Sequence, residues 1–110
     1  MTVTIVNIRR ASADFYCGRG SALGNPFVLE DSRSVKQRDE VCDQYHTYFI
    51  EEVLVKQNRS MLKELSKIKR TLDEKGRVTL GCFCAPRRCH CETIKSYLMG
   101  NLKINEKAGK

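Results

Sequence analysis

The alternation of apolar and polar positions along the chain predicts three short strands. Residues 3–8 are a β-branched run, which predicts a strand buried on both faces. Phe15 and Tyr16 lie in a second short strand predicted over residues 14–17, and the run VTLGCF predicts a third over residues 78–83. These segments could form a small sheet.

Apolar residues at helical spacing predict three helices between and after these strands. The most regular pattern covers residues 35–57, where apolar side chains recur at intervals of three and four. Two further helices are predicted over residues 60–72, with the Ser60 hydroxyl capping the first turn, and over residues 92–99. The apolar stripe of the first helix consists of Val41, Tyr45, Tyr48, Phe49 and Val53.

Two unusual loops lie between a predicted strand and a predicted helix. Residues 18–26 read GRGSALGNP, which is too rich in glycine and proline for a helix or strand, and residues 82–91 read CFCAPRRCHC. Strands separated by helices usually lie parallel, and parallel sheets bind ligands at their carboxyl ends. We therefore expect an α/β fold, with a short, mainly parallel sheet flanked by helices, and we expect both loops to meet in one pocket.

The length and composition fit one small domain. A chain of 110 residues with 41% hydrophobic content can fill one modest core, which we place over residues 1–100. Residues 101–110 are expected to form a flexible, basic polar tail. No apolar run approaches the ~20 residues that span a bilayer, and the beginning does not resemble a secretory signal. We therefore expect a cytoplasmic protein with reduced thiols and no membrane partner.

The formal net charge of +7 favours an anionic partner: an anionic small molecule or nucleotide, a nucleic acid, or a host protein. In the first loop, glycines let backbone N–H groups approach a phosphate, and Arg19 offers a bidentate fork. The alternative interpretation is a tight turn with Arg19 in solvent. The candidate ligand-binding residues are Gly18, Arg19, Gly20, Ser21, Gly24, Asn25, Arg87 and Arg88.

Three interpretations of the cysteine loop stay open. Thiolates and imidazole are the preferred ligands of zinc, although the Cys-x-Cys spacing is unlike that of common zinc knuckles. Alternatively, a thiol at a helix amino end, with its pKa lowered by neighbouring arginines, could act as a nucleophile. In the third interpretation the cysteines are small buried hydrophobic residues. The candidates are Cys82, Cys84, Cys89 and either His90 or Cys91 for zinc, and Cys84, Cys89 and His90 for catalysis.

The remaining cysteines and histidine carry weaker predictions. Cys17 directly precedes the glycine loop, so it could supply a fourth metal ligand if the two loops meet. Otherwise Cys17 and Cys42 are expected to be ordinary, partly buried residues. His46 is expected on the surface, with no partner apparent from the sequence.

The two loop motifs together resemble the family called domain of unknown function 4326. Its members are short, often encoded by bacteriophages, and without an assigned activity. The likeness extends over residues 3–98, except that Cys91 stands where the family usually has glycine. The matching residues are Gly18, Arg19, Ser21, Gly24, Asn25, Pro26, Phe27, Cys82, Cys84, Pro86, Cys89 and His90.

These observations predict a small α/β domain that binds a nucleotide or another phosphate-bearing ligand between the two loops, and the resemblance implies that it is phage-encoded. Whether the domain also acts on that ligand is left open by the sequence. The alternative prediction is an interaction module without enzymatic activity, which inhibits a host protein or nucleic acid. In that case the cysteines would be structural or zinc-binding.

Overall fold

The computed structural model describes residues 1–27, 31, 33–83 and 88–100. The predicted α/β fold is confirmed, whereas the predicted tail and the central residues 84–87 of the cysteine loop lie outside the described ranges. Among the described residues, no helix has the length and apolar character needed to cross a membrane. The elements are β1 Thr2–Asn7, β2 Phe15–Tyr16, α1 Val35–Phe49, a π-helical segment Ile50–Val55, α2 Arg59–Lys75, β3 Arg77–Cys82 and α3 Cys91–Leu98.

The described strands form one parallel sheet with β3 in the centre, between β1 and β2. Tyr16, the last residue of β2, lies opposite Gly81, and Asn7, the last residue of β1, lies opposite Cys82. The three strands therefore end at the same edge of the sheet. Both loops predicted to carry the chemistry leave from this edge, one after β2 and the other after β3.

The expectation that the first strand is buried on both faces is wrong. Val3 is buried, but Thr2 and Thr4 are exposed. Successive side chains of a strand point to opposite faces, so Val3 faces the core while Thr2 and Thr4 lie on the opposite face, which is exposed at this end of β1. A β-branched run cannot by itself distinguish an edge strand from a central one.

The first predicted helix is one continuous element in the chain, but its geometry changes after Phe49. The α-helical part ends there, and a π-helical turn continues to Val55. On α1, Cys42 and not Val41 faces the core, since Cys42 is buried while Val41 is half-buried. The face that packs inward is therefore rotated slightly from the predicted stripe.

The N-cap predicted for the second helix is also wrong. The side chain of Asn58, not Ser60, accepts the hydrogen bond from the backbone N–H of Met61, at 3.2 Å. Asparagine caps helices at least as well as serine, and α2 consequently begins at Arg59. Its carboxyl end follows the prediction, because Gly76 adopts a left-handed conformation with φ of 75° and closes the helix.

The core lies between the sheet and the helices, and its largest side chains come from α1 and α2. Tyr45 and Phe49 are fully buried, with their ring centroids 5.9 Å apart. Leu65 and Leu72 from α2 pack in the same cluster, and Leu80 from β3 lies beneath them. Because α3 contacts both α1 and the strands β1 and β3, this packing positions α1 relative to the sheet.

Asp14 links the start of the edge strand β2 to the central strand β3. Substitution of Asp14 tests how much this link contributes to stability. Its carboxylate accepts the backbone N–H of Thr79 at 2.9 Å, and its own N–H donates to the Thr79 hydroxyl. The Thr79 N–H bond lowers the pKa of Asp14 below its ordinary value, so its stabilising effect is present at neutral pH and lost as the pH falls through that lowered pKa. We expect Asp14→Ala to lower the free energy of unfolding at pH 7 by no more than about 1 kcal/mol, because the carboxylate is exposed.

Urea unfolding of the natural protein and of Asp14→Ala between pH 2 and pH 7 measures the difference in their free energies of unfolding. The two curves should converge at acid pH. A difference that persists unchanged at pH 2 would show that the carboxylate charge is not its source.

Candidate functional site

The glycine loop and the cysteine loop lie side by side. The ring nitrogen Nε2 of His90 donates a hydrogen bond to the backbone carbonyl of Cys17, which links residues 73 positions apart in the sequence. Between the loops and α1 lies a cavity of about 230 Å³. Arg19 and Asn25 line it from the glycine loop, and Arg88 lines it from the cysteine loop.

The glycine loop is held in shape by its own polar side chains. The two terminal nitrogens of Arg19 donate to the carbonyls of Asn25 and Phe27, at 2.7 and 2.8 Å. The Ser21 hydroxyl donates to the carbonyl of Gly18 at 2.6 Å. Arg19 is exposed, but two of its five N–H donors are committed to closing the loop. Its positive charge remains, since carbonyl oxygens are neutral acceptors.

At two positions of this loop a residue with a side chain would be unfavourable, for two different physical reasons. A Cβ at Gly24 would lie 2.5 Å from the carbonyl oxygen of Gly18, so the loop can fold back on itself only without a side chain there. Gly20 has a φ of 89°, which other residues rarely adopt, but open space surrounds it. Glycine is therefore required at Gly24 by close packing and at Gly20 by the backbone conformation.

Asn25 and Tyr45 fix the far end of the glycine loop to the rest of the domain. The Asn25 side-chain nitrogen donates to the backbone carbonyl of Val41 on α1 at 3.5 Å, and Asn25 itself is buried. The Tyr45 hydroxyl donates to the carbonyl of Leu23 at 2.7 Å. These bonds explain how a loop with little regular structure can form one wall of a cavity.

Removal of the Tyr45 hydroxyl tests this anchor. Tyr45→Phe leaves the Leu23 carbonyl buried without its donor, and we expect a loss of about 1–3 kcal/mol in the free energy of unfolding. Thermal or urea unfolding measures the loss. Tyr48→Phe, at a half-buried ring on the same helix, is the matched control and should change stability by less than about 0.5 kcal/mol. Equal losses in the two variants would contradict an anchoring role.

Three arginines of the described part of the chain line the cavity, and they differ in their partners. Arg88, a predicted ligand-binding residue, contacts the carboxylates of Asp39 at 3.1 Å and Asp43 at 2.8 Å. Those two aspartates balance its charge. Arg38 is buried and donates to the backbone carbonyl of Arg88 at 3.4 Å.

The sequence prediction missed Arg38, although a signal for it was present. Arg38, Cys42, Tyr45 and Phe49 recur at helical spacing, and all four are buried on the inward face of α1. An arginine at a position of the apolar stripe is a buried charge, and buried charges usually have a specific partner or function. Arg87, the other predicted arginine, lies outside the described residues.

Beneath the cavity, three buried thiols form a compact cluster. The sulfur atoms of Cys82, Cys89 and Cys91 all lie within 4.8 Å of one another, an arrangement that could hold a metal ion. The sulfur atoms of Cys89 and Cys82 are 3.2 Å apart, and the backbone N–H of Cys91 donates to the Cys89 sulfur at 3.3 Å. Cys82 and Cys89 were predicted as zinc ligands, and both are in this cluster. Of the two alternatives for a further ligand, Cys91 and not His90 is in the cluster. Cys84 lies outside the described residues.

Cys17 adjoins the cluster from the glycine loop. Its side chain is fully buried, and its thiol donates to the backbone carbonyl of Phe15 at 3.9 Å. Hydrogen bonds with neighbouring thiols, the largest of them with Cys17, and burial raise the pKa of Cys91 above its ordinary value. In the absence of a metal this cluster therefore favours neutral thiols over thiolates.

His90 lies at the junction of the two loops and the core. It is buried, and its ring packs edge-on against Tyr45 with centroids 4.9 Å apart. Burial lowers the pKa of His90 below its ordinary value, so the ring is neutral at pH 7. Because the Cys17 carbonyl can only accept, Nε2 carries the proton and Nδ1 is the acceptor of the ring.

The two remaining predictions concern α1. His46 was expected on the surface with no partner, and this is wrong: it is half-buried, and its Nδ1 lies 3.2 Å from the hydroxyl of Thr93 on α3. Cys42 is buried, and it lines the cavity opposite to the loops.

Comparison with known proteins identifies a family and no characterised relative. The family described as "Domain of unknown function (DUF4326)" matches residues 6–100, nearly the whole chain, and the chain belongs to it. No curated protein and no solved structure is significantly similar to this sequence. The function therefore has to be argued from the geometry of the site.

Proposed function

We propose that the protein binds a small phosphate-bearing ligand, such as a nucleotide, in the cavity between the two loops. The observation that carries this proposal is the position of Arg19 and Arg38 on one cavity at the carboxyl edge of a parallel sheet. In open α/β sheets, ligands bind at this edge. Planar guanidinium groups recognise phosphate through paired hydrogen bonds.

The balance of charge around the cavity supports an anionic ligand. Arg88 is neutralised by two aspartates, but the partners that hold Arg19 are neutral carbonyls. Among the described lining residues, none is an aspartate or glutamate. A partly enclosed space with the positive charge of Arg19 on its wall attracts anions, and the effect is stronger than on an open surface.

The shape of the cavity and its aromatic rim support a small ligand with an apolar part. Its volume of about 230 Å³ is at or below the lower end of the range for ligand pockets, which is about 300–1,000 Å³. Tyr16 and Phe83 line it and are both partly exposed, with ring centroids 6.0 Å apart. A nucleobase could contact these rings while its phosphate reaches the arginines.

The proposal is tested by melting the protein with a panel of nucleotides and with inorganic phosphate. A ligand that binds only the native state raises the melting temperature. We expect at least one nucleotide to raise the Tm of the natural protein, and Arg38→Ala to weaken its binding by roughly tenfold or more, since a hydrogen bond to a charged group contributes about 1.5–3 kcal/mol.

Arg70→Ala is the matched control, because it removes one exposed arginine from the outer face of α2, away from the cavity. Each variant is compared with its own ligand-free Tm, so that loss of stability is not mistaken for loss of binding. Equal ligand shifts in Arg38→Ala and Arg70→Ala would contradict the pocket. They would favour the alternative of a module that acts through its basic surface.

For the thiol cluster we propose zinc as the bound metal. Thiolates are preferred zinc ligands, and buried sites of this kind are usually structural. The N–H of Cys91 that points at the Cys89 sulfur would stabilise a thiolate there. Zinc binding displaces the thiol protons, and the charge of the metal ion then compensates the charges of the buried thiolates. Mass spectrometry under native conditions should find about one zinc per chain.

This assignment bears on the predicted catalytic role of Cys89. The thiol is buried and lies between two other cysteines, which favours metal binding over attack on a ligand. We therefore propose ligand binding, and not a reaction, as the function of the pocket.

A further inference from the structure

We propose that Cys17 is the fourth ligand of the metal site, so that one zinc ion joins the glycine loop directly to the cysteine loop. The inference rests on the zinc site proposed above. It adds that the metal is shared between the two loops that form the cavity. The metal would then determine the shape of the ligand pocket as well as the stability of the fold.

The backbone of Cys17 is already fixed in place on both sides. Its N–H donates to the carbonyl of Gly81 on β3 at 2.9 Å, and its carbonyl accepts from the ring of His90. The side chain is completely buried. A ligand whose backbone is held by neighbouring elements loses little conformational freedom when it binds a metal.

The side chain of Cys17 also lies next to the cluster. Its thiol donates to the backbone carbonyl of Phe15 at 3.9 Å, and its interaction with the Cys91 thiol is the largest cause of the raised pKa of Cys91, which belongs to the three-sulfur group. The Cys17 sulfur adjoins that group rather than lying inside it. Rotation between staggered χ1 positions moves a cysteine sulfur by roughly 3 Å, so a side-chain rotation can bring it into the set.

The chemistry of zinc requires a fourth donor. Structural zinc sites are tetrahedral and closed, and three cysteines leave one position for another ligand. Among the described cysteines, Cys17 is the one that contacts the cluster from a different loop. Its sequence neighbour Gly18 begins the glycine loop, and Cys82 and Cys89 line the cavity. The metal would lie under the pocket and hold both of its walls.

X-ray absorption at the zinc edge of the natural protein tests the ligand set without any substitution. We expect four sulfur neighbours at about 2.3 Å. Three sulfurs and one nitrogen or oxygen would overturn the role of Cys17 while leaving the metal site itself in place. Absence of stoichiometric zinc would overturn both.

Substitution then distinguishes Cys17 from Cys84, which could also supply a fourth sulfur. In Cys17→Ser the count should fall to three sulfurs, and the affinity for zinc, measured by competition with a chromogenic chelator, should fall at least tenfold. Cys42→Ser, at a buried thiol on the opposite wall of the cavity, should keep four sulfurs and full affinity. Four sulfurs retained in Cys17→Ser would contradict the proposal. If Cys17→Ser does not fold, Cys84→Ser decides: four sulfurs retained in that variant would support Cys17 as the fourth ligand, and a fall to three would contradict it.

Discussion

Removal of zinc is expected to lower the melting temperature more than any single substitution in this protein. The cluster of Cys82, Cys89 and Cys91 is assembled only in the native state, so the proposed zinc ion would bind the folded chain more tightly than the unfolded one, and its binding free energy would stabilise the fold. With free zinc a thousandfold above its dissociation constant, this contribution is about 4 kcal/mol. For a domain of this size we expect a fall in Tm of at least about 15 °C.

Calorimetry of the zinc-loaded protein before and after treatment with a strong chelator measures this change. The same chelator presaturated with zinc is the control for its effect as a solute. Readdition of zinc should restore the original Tm. An unchanged melting curve after complete removal of the metal would mean that the cysteines stabilise the core as buried apolar side chains only.

Gly24→Ala is expected to have the largest effect among the substitutions of the glycine loop. The new methyl group would lie 2.5 Å from the carbonyl oxygen of Gly18, and that atom belongs to a backbone fixed by the Ser21 hydroxyl. The loop has to open to accommodate it, at a cost of about 1–3 kcal/mol. Because Arg19 and Asn25 line the cavity from this loop, we also expect the ligand-dependent rise in Tm to disappear.

Gly20→Ala separates crowding from backbone strain in the same loop. A Cβ at Gly20 meets no atom within 4 Å, so its cost of about 1 kcal/mol comes only from the positive φ. Unfolding and ligand-shift measurements on the two variants provide the comparison. We expect Gly20→Ala to retain ligand binding. If Gly24→Ala also bound the ligand normally, the closed form of the loop would not be needed for function.

The sheet and the position of its two loops could be predicted from local pattern alone. Helical segments between short β-rich runs favour parallel strands, and parallel strands bring the segments after β2 and β3 to one edge. The contact between His90 and Cys17 follows from that topology. Features that depend on periodicity and connectivity are therefore accessible from the sequence.

The partners of individual side chains could not be predicted from the sequence in the same way. Arg19 was predicted to face a ligand, but its second role in closing its own loop could not be predicted, because the carbonyls of Asn25 and Phe27 converge on it only in three dimensions. Arg88 has two aspartate partners from α1, which no local pattern pairs with it. Motif residues can thus be recognised before it is known whether they hold the loop or the ligand.

Amide chemical-shift mapping tests most directly the central claim that one pocket between the two loops binds a phosphate-bearing ligand. The zinc-loaded, isotope-labelled protein is titrated with the nucleotide that gives the largest Tm shift, and with inorganic phosphate. The account predicts saturable changes concentrated at residues 18–25 and 88–91 and around Arg38. Changes spread over the exposed basic side of α2, around Lys69 and Arg70, with the loop amides unaffected, would contradict it.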